Sequence, residues 1–203
     1  MMHDDFFGSF DEEESILNFS GTVGFGMNFR FQEATGTDRS RLTRLEAKCY
    51  DFPYDDADWS FILSTAPPGA AQPNPLYNFK CMTYRVDNEI VGFYVYNNKP
   101  SELDFMPLSR LCVHPDHRTR GYGTILLDNA IIRARQFGMD EVRITVPEYW
   151  LDPEENRGII NFVDTTGMAP VDHVRDLYYH YGKTYDGITY QSGGRRRVSF
   201  VSV

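Results

Sequence analysis

Arginine and glycine are concentrated in residues 118–123, RTRGYG. Arginine attracts anions, and glycine lets a backbone come close to an anion that a Cβ would obstruct. Residues 108–113, before this segment, have the apolar pattern of a strand, and residues 124–138, after it, have that of a helix. A helix that begins just after such a loop directs free N–H groups and its positive dipole end toward the loop. These features predict a binding site for a ligand that carries phosphate.

The segment matches neither of the commoner phosphate-binding motifs, GxxxxGK[ST] and GxGxxG. A simpler interpretation is that Gly121 and Gly123 only cap and turn a connection between a strand and a helix. The strand, the turn at residues 114–116, both arginines and the amphipathic helix agree better with phosphate binding. We therefore favour a phosphate site.

Residues 111–131, LCVHPDHRTRGYGTILLDNAI, resemble the RxxGxG signature of the GNAT superfamily of acyl-CoA-dependent N-acetyltransferases. The resemblance extends over residues 27–191, with the specific motifs between residues 108 and 168. It implies an α/β fold with a mixed, mostly antiparallel central sheet flanked by helices. In that family the sheet splays between its fourth and fifth strands, here residues 102–113 and 141–146, and acetyl-CoA fills the gap.

The resemblance also implies which residues hold acetyl-CoA. The backbone of Leu111 and Val113 would pair with the pantetheine arm, and residues 118–124 would wrap the pyrophosphate. A strand N–H would face the thioester carbonyl and stabilise the oxyanion. Asn156 matches the family's asparagine near the cofactor, although an ordinary helix N-cap explains it equally well. The cofactor-binding candidates are Leu111, Cys112, Val113, Arg118, Thr119, Arg120, Gly121, Tyr122, Gly123, Thr124 and Asn156.

The family's usual catalytic positions hold no acid or base in this sequence. Thr145 stands where the fifth strand often has Glu or His, and Val163 stands where the next helix normally has Tyr. We therefore expect catalysis by positioning with a water-relayed base, with Glu148 as candidate base and Tyr149 as candidate acid. The same two replacements leave open a protein that binds acyl-CoA without chemistry, as a sensor or an interaction module.

Two segments resemble the bacterial ribosomal-protein-alanine (RimI-like) N-acetyltransferases, residues 45–63 and residues 175–190. They imply that the acceptor is a peptide or protein amine, at an N-terminus or a lysine. The substrate-binding candidates are Phe52, Tyr54, Tyr178 and Tyr179. Tyrosines on a hairpin also pack across strands without touching a substrate. Acidic residues beside the expected cleft favour a cationic acceptor, so a polyamine or an aminoglycoside is an alternative.

The composition suits one globular domain, because the chain has 203 residues, 41% hydrophobic and 15% aromatic. We divide it into an acidic, flexible tail (residues 1–24), an acetyltransferase domain (residues 25–192) and a basic tail or short strand (residues 193–203). The sequence has no apolar run of membrane-spanning length, and its acidic start is unlike a signal peptide. We expect a cytoplasmic protein without membrane contact, which could form a homodimer.

Charge and cysteine content argue against other classes. The formal net charge of −9 argues against a nucleic-acid-binding protein, because phosphate contacts need clustered Lys and Arg. The three cysteines, Cys49, Cys81 and Cys112, lack CxxC spacing. We therefore expect buried free thiols, no disulfide and no metal site.

Hydrophobic periodicity and turn residues predict the order of the elements. In the first part we expect a strand at residues 27–33, a helix from Thr37 or Asp38, a short helix within residues 55–64 and a loop at residues 66–75. A hairpin at residues 79–98, with its turn at Asp87-Asn88, and a strand at residues 102–113 should follow. The last part should contain a helix at residues 124–138, a strand at residues 141–146, a helix within residues 153–166 and a hairpin at residues 172–191. This is the element order of the GNAT family.

Overall fold

A sheet of eight strands, in the order β1-β2-β3-β4-β5-β6-β8-β7, organises the residues that the computed structural model describes. These are residues 20–23, 27–64, 78–97, 103–152, 157–180 and 182–192. The strands are β1 (Ser20–Val23), β2 (Met27–Glu33), β3 (Phe79–Val86), β4 (Glu89–Asn97), β5 (Phe105–Val113), β6 (Glu141–Pro147), β7 (Ala169–His180) and β8 (Lys183–Gln191). The helices are α1 (Arg39–Glu46), α2 (Asp56–Ile62), α3 (Tyr122–Gln136) and α4 (Arg157–Thr166). Within the same residues, no helix is long and apolar enough to cross a membrane.

Neighbouring strands are antiparallel except for β5 and β6, which are parallel. The mixed, mostly antiparallel sheet with flanking helices is the predicted α/β fold. The β3–β4 hairpin turns at Asp87-Asn88, where φ angles of 49° and 70° suit a tight hairpin turn. β5 begins at Phe105 rather than residue 102, and the predicted loop at residues 66–75 lies outside the described residues.

Residues 20–23 form β1 and pair with residues 27–30 of β2. The sequence analysis assigned them to the N-terminal tail because they lack an apolar and polar alternation, so this part of the prediction is corrected. The backbone hydrogen bonds to β2 hold this segment in the sheet. Such pairing does not require alternating apolar and polar residues in the segment itself. Residues 1–19 and 193–203 lie outside the described residues, and the domain boundaries stay predictions.

The sheet opens between β5 and β6, as predicted. The two strands pair along their first residues, and the pairing ends at Leu108 and Ile144. A bulge lies at the same level, because Ser109 has no partner in the register with β4. Since a bulge bends its strand and increases its twist, β5 turns away from β6 beyond Leu108.

The bulge also decides which way Arg110 points. Side chains alternate across the sheet, so Tyr94 of β4 packs in the core beside α3, and its neighbour Phe93 packs in the core beside α1 and α2. Leu108 belongs to the α3 core. The extra residue at the bulge breaks the alternation, and Arg110 points to the other face, where its Nε lies 2.8 Å from Glu46 Oε1 of α1.

The cysteine prediction was wrong for two of the three residues. Cys49 and Cys112 form a disulfide with a Cα–Cα distance of 6.1 Å, whereas Cys81 is free and buried as expected. Cys49 follows α1, and α1 packs on the face of β5 that carries Cys112. The pair is separated by 63 residues, so only the tertiary fold brings it together and local spacing gives no sign of it.

Candidate active site

Residues 118–124 form a tight loop that leads into α3. Thr119 and Gly121 have left-handed φ angles of 63° and 80°, and α3 begins at Tyr122. The Ile125 N–H donates to the Gly121 carbonyl at 3.1 Å. The N–H groups of the residues before Ile125 therefore have no acceptor within the helix. They lie at the positive end of a helix of 15 residues, which is the environment that an anion prefers.

The two glycines of this loop have different structural reasons. Gly121 needs its left-handed φ, and a Cβ there would meet nothing within 4 Å. A Cβ on Gly123 would lie 3.1 Å and 3.3 Å from ring carbons of Phe162 in α4. Gly121 therefore keeps the loop curled and open to a ligand, while Gly123 lets α3 approach α4 closely.

Arg118 and Arg120 are both exposed beside the loop. Arg118 Nε donates to the Val113 carbonyl at 3.3 Å, and its Nη2 lies 3.8 Å from Cys49 Sγ. The guanidinium of Arg118 therefore lies at the end of β5, between the loop and Cys49. This places positive charge on the route from the loop to the opening of the sheet.

The edge of β5 in that opening has an internal partner that the sequence analysis did not foresee. Tyr50 Oη accepts the Leu111 N–H at 2.8 Å and donates to the Leu111 carbonyl at 2.8 Å. Burial raises the pKa of Tyr50, so the hydroxyl keeps the proton that it donates. The backbone groups of Leu111, assigned above to the pantetheine arm, are hydrogen-bonded to this tyrosine.

A small cavity of about 70 Å³ lies where β5 and β6 separate, and it is partly open to solvent. Aromatic side chains and strand residues make up most of its wall. It is lined by Tyr50, Asp51, Phe52, Ser109, Arg110, Ile144, Thr145, Val146, Pro147, Tyr149, Trp150 and Tyr178. A largely apolar cavity with a few convergent polar groups is the usual form of a ligand site.

Asp51 supplies the carboxylate of this cavity. Its Oδ2 accepts a hydrogen bond from Tyr149 Oη at 3.0 Å and one from Trp150 Nε1 at 3.4 Å. Burial, together with the hydrogen bond and negative charge of Asp51, raises the pKa of Tyr149. The Tyr149 hydroxyl is therefore a proton donor in this position rather than a base.

Arg110 supplies the cation of the cavity, and Glu46 holds it. Arg110 Nε lies 2.8 Å from Glu46 Oε1, and the Glu46 side chain has no solvent exposure. Trp59 Nε1 donates to the other carboxylate oxygen at 2.8 Å. The Arg110 guanidinium also lies over the rings of Tyr54 and Tyr50, at 4.1 Å and 4.8 Å. Burial raises the pKa of Glu46, and Arg110 opposes that shift.

The acetyltransferase (GNAT) family model matches residues 40–158, which is more than half of the chain. This chain belongs to the GNAT family. As a GNAT acetyltransferase, the protein uses acetyl-CoA as its acetyl donor. A search of curated protein sequences found no match.

Solved structures similar to this GNAT chain include several N-acetyltransferases. The ribosomal-protein-S18-alanine N-acetyltransferase of Escherichia coli has a TM-score of 0.61 and 15% identity, with 86% of this chain and 99% of that chain covered. NAA60 of Arabidopsis thaliana, in complex with a bisubstrate analogue, has a TM-score of 0.63 and 14% identity, with 81% and 98% covered. Ard1 of Thermoplasma volcanium has a TM-score of 0.59 and 20% identity, with 80% and 95% covered. At these identities the similarity shows the fold.

The structure brings some of the predicted acceptor residues to the cavity and leaves others outside. Phe52 and Tyr178 line the cavity, and Tyr178 Oη donates to the Thr145 carbonyl at 3.2 Å. Tyr54 packs over Arg110 instead, and Tyr179 is 67% exposed. Neighbouring residues of a strand point to opposite faces, so only one of the paired tyrosines can face the cavity.

Of the two predicted catalytic residues, the structure places only one at the cavity. Tyr149 lines the cavity, whereas Glu148 is exposed and is not among the lining residues. The Glu148 carboxylate belongs to a group with His173 and Asp186 whose potential ligand atoms lie within 4.8 Å of one another. His173 Nε2 is 2.7 Å from Asp186 Oδ2, so these two members of the group already contact each other.

Thr145 and Val163, at the positions where the family usually has its acid and base, have surroundings that leave no acid–base role. The Thr145 hydroxyl hydrogen-bonds the Thr189 hydroxyl at 2.9 Å, and Val163 is buried in the core beside α3. Asn156, a predicted cofactor residue, lies outside the described residues.

Sequence reasoning missed Tyr50, Asp51, Arg110 and Trp150. Tyr50 and Asp51 directly precede the predicted Phe52, so their segment was identified without their roles. Arg110 could have been noticed as a charge inside an otherwise apolar strand, since such a charge is almost always paired. Trp150 gave no comparable signal.

Proposed function

We propose that this GNAT acetyltransferase acetylates the primary amine of a peptide or protein, at an N-terminus or a lysine, by direct attack of the neutral amine. The observation that supports this most directly is the aromatic cavity with Asp51 in its wall, at the point where the sheet opens. A carboxylate attracts an ammonium group, and aromatic faces hold a cation beside it. The acceptor amine would therefore bind among Asp51, Tyr149, Trp150 and Tyr178.

The residues of the loop and of β5 fit acetyl-CoA. The free N–H groups at the start of α3, with Arg118 and Arg120, provide an anion site for the pyrophosphate. The edge of β5 at Leu111 and Val113 would pair with the pantetheine arm, and one of its N–H groups would polarise the thioester carbonyl. Acetyl-CoA supplies the activated acetyl group when it is bound. Further proposed contacts are Cys112, Thr119, Gly121, Tyr122, Gly123, Thr124 and Asn156.

Tyr149 is the proton donor that we assign to the reaction. Its Oη lies at the cavity and carries a proton, which it donates to Asp51 at 3.0 Å and which would have to turn toward the leaving thiolate. Glu148 remains the candidate base, and it would act through water because its carboxylate is exposed outside the cavity. The apolar part of the wall would favour the neutral amine over the ammonium form at the moment of attack.

A polyamine is the second candidate acceptor. Asp51, Asp55 and Asp56 are all exposed, before and at the start of α2. Several carboxylates along one segment would suit a small molecule with several positive charges. The exposed ring of Phe52, at 51% exposure, favours the peptide instead, because it extends the apolar rim beyond the space that one amine needs.

A thiol-release assay with acetyl-CoA against peptides of varied N-termini, a lysine peptide, spermidine and an aminoglycoside tests the proposed function. We expect release of CoA that depends on a peptide amine, with calorimetric binding of acetyl-CoA on the same sample. Release that depends only on spermidine would contradict the peptide acceptor. Acetyl-CoA binding without release for any amine would favour the alternative of a non-catalytic acyl-CoA-binding module.

We predict that Asp51→Asn raises KM for the amine acceptor by about 10-fold to 100-fold, because one charge-assisted hydrogen bond is worth about 1.5–3 kcal/mol. The affinity for acetyl-CoA should not change. Steady-state kinetics with each substrate varied in turn measures both effects. Asp140→Asn is the matched control, since it removes an exposed carboxylate just before the start of β6, at the end of that strand opposite the cavity. An equal effect of the two variants would contradict a specific role of Asp51.

A further inference from the structure

Tyr50 satisfies both backbone groups of Leu111 with a single hydroxyl. The Tyr50 Oη lies 2.8 Å from the Leu111 nitrogen and 2.8 Å from its oxygen. Leu111 lies opposite Tyr94 in the antiparallel pair of β5 and β4. Its N–H and C=O are the outward-facing groups of that pair, so they point into the opening of the sheet and not toward β4. The hydroxyl therefore acts there as one extra residue of strand would act, as both acceptor and donor.

A disulfide lies directly beside this contact. Cys49 precedes Tyr50, and Cys112 follows Leu111, so the covalent link and the hydrogen bonds join the same two segments at neighbouring positions. The Tyr50 ring also packs on Trp150 at a centroid distance of 5.3 Å and on the Arg110 guanidinium. The disulfide restricts the motion that would carry Tyr50 away from β5.

We propose that Tyr50 is a built-in competitor for the acyl-CoA site and that the Cys49–Cys112 disulfide holds it in place. The inference rests on the proposed position of the pantetheine arm along β5. One N–H cannot serve two acceptors at full strength, so the hydroxyl has to leave Leu111 before acyl-CoA can pair there. The apparent affinity for acyl-CoA is then reduced by the small fraction of molecules in which Tyr50 has left.

Reduction by a dithiol would weaken this restraint. Cys49 is half-buried, and Cys112 is 2% exposed, so a reductant thiolate reaches the Cys49 sulfur first. That attack breaks the S–S bond, forms a mixed disulfide with Cys49 and releases Cys112, which takes up a proton. The second thiol of the reductant then attacks the mixed disulfide, releases Cys49 and leaves the reductant as a disulfide. The Arg118 guanidinium, 3.8 Å from Cys49 Sγ, stabilises the Cys49 thiolate.

The test is calorimetric titration of acetyl-CoA into the full chain, as wild type and as Tyr50→Phe, each with and without dithiothreitol. Removal of the hydroxyl ends the competition, so Tyr50→Phe should bind about 10-fold more tightly than the oxidised wild type. Reduction should tighten binding by the wild type, and Cys49→Ser should do so without a reductant. Reduction should leave Tyr50→Phe unchanged, because the two changes act on one contact and their effects do not add.

Tyr94→Phe is the matched control. Its hydroxyl donates to Asn129 at 2.7 Å in the core beside α3, so the variant should be less stable but bind acetyl-CoA normally. Thermal unfolding is a second measurement, in case the substitution destabilises the fold. Without ligand, Tyr50→Phe should have a lower Tm than wild type, and saturating acetyl-CoA should reduce this difference in Tm. The ligand would then supply Leu111 with new partners in both proteins.

Binding by Tyr50→Phe that equals or falls below that of wild type would overturn the competition. If Tyr50→Phe bound acetyl-CoA more tightly but dithiothreitol did not change the affinity of the wild type, the role of the disulfide would be overturned and that of Tyr50 supported. If neither protein bound acetyl-CoA under any condition, the proposed cofactor site would fail first, and this inference would fail with it.

Discussion

Gly121→Val is expected to weaken acetyl-CoA binding by more than about 100-fold, because at least two charge-assisted hydrogen bonds worth about 1.5–3 kcal/mol each would be lost. Gly121 has a φ of 80°, a conformation that a β-branched residue avoids. Valine would rotate the loop out of this conformation and redirect the N–H groups at the start of α3. Calorimetry with acetyl-CoA measures the loss, and circular dichroism checks that the fold persists.

Gly138→Val is the control for this variant, because it places the same side chain at the other end of the same helix. Gly138 has a φ of 76°, and a Cβ on either glycine would meet nothing within 4 Å. Both variants should therefore lose about 1–3 kcal/mol of unfolding free energy, whereas only Gly121→Val should lose acetyl-CoA. Normal binding by Gly121→Val would show that the loop does not hold the pyrophosphate.

The loop and α3 could be predicted from the sequence because the signals are local. A strand, a glycine-bearing turn and an amphipathic helix follow one another within residues 108–138, and each step constrains the next. The β3–β4 hairpin was equally clear, because Asp87-Asn88 separates two runs of strand-forming residues. The family resemblance then supplied the splay of the sheet, which periodicity alone does not encode.

The interior of the site could not be predicted in the same way. Arg110 faces α1 only because of the bulge at Ser109, and simple alternation from Leu108 would have placed it on the α3 side. Tyr50 meets Leu111 across a sequence separation of 61 residues. Likewise, the Cys49–Cys112 pair depends on how α1 packs against β5. Such contacts are properties of tertiary packing, and a single sequence carries no local mark of them.

Glu46→Ala is expected to lower the free energy of unfolding by about 3–5 kcal/mol, the usual cost of removing one partner of a buried ion pair. Arg110 would keep its charge next to the core and lose its carboxylate. Trp59 Nε1, which donates to Glu46 at 2.8 Å, would lose its acceptor as well. Urea denaturation of the wild type and the variant measures the difference. A loss below about 1 kcal/mol would mean that water replaces the carboxylate without difficulty.

Glu46→Gln separates the charge of this residue from its hydrogen bonds. The amide oxygen can still accept from either Trp59 or Arg110, which donate to different carboxylate oxygens of Glu46, so the loss at neutral pH should be smaller than for alanine. Because burial raises the pKa of Glu46 above its ordinary value of 4.5, the folded protein binds this proton more tightly than the unfolded chain. The resulting stabilisation is complete below pH 4.5 and is lost as the pH rises through the folded-state pKa.

The free-energy difference between wild type and Glu46→Gln should therefore move in favour of the wild type as the pH falls through that range. Denaturation of both proteins in a pH series follows this difference, and titrations common to both cancel in it. A difference that moved the opposite way would mean that Arg110 lowers the pKa of Glu46 by more than burial raises it. In that case the pair would stabilise the charged carboxylate, and Arg110 would be fixed beside the cavity chiefly by its attraction to Glu46.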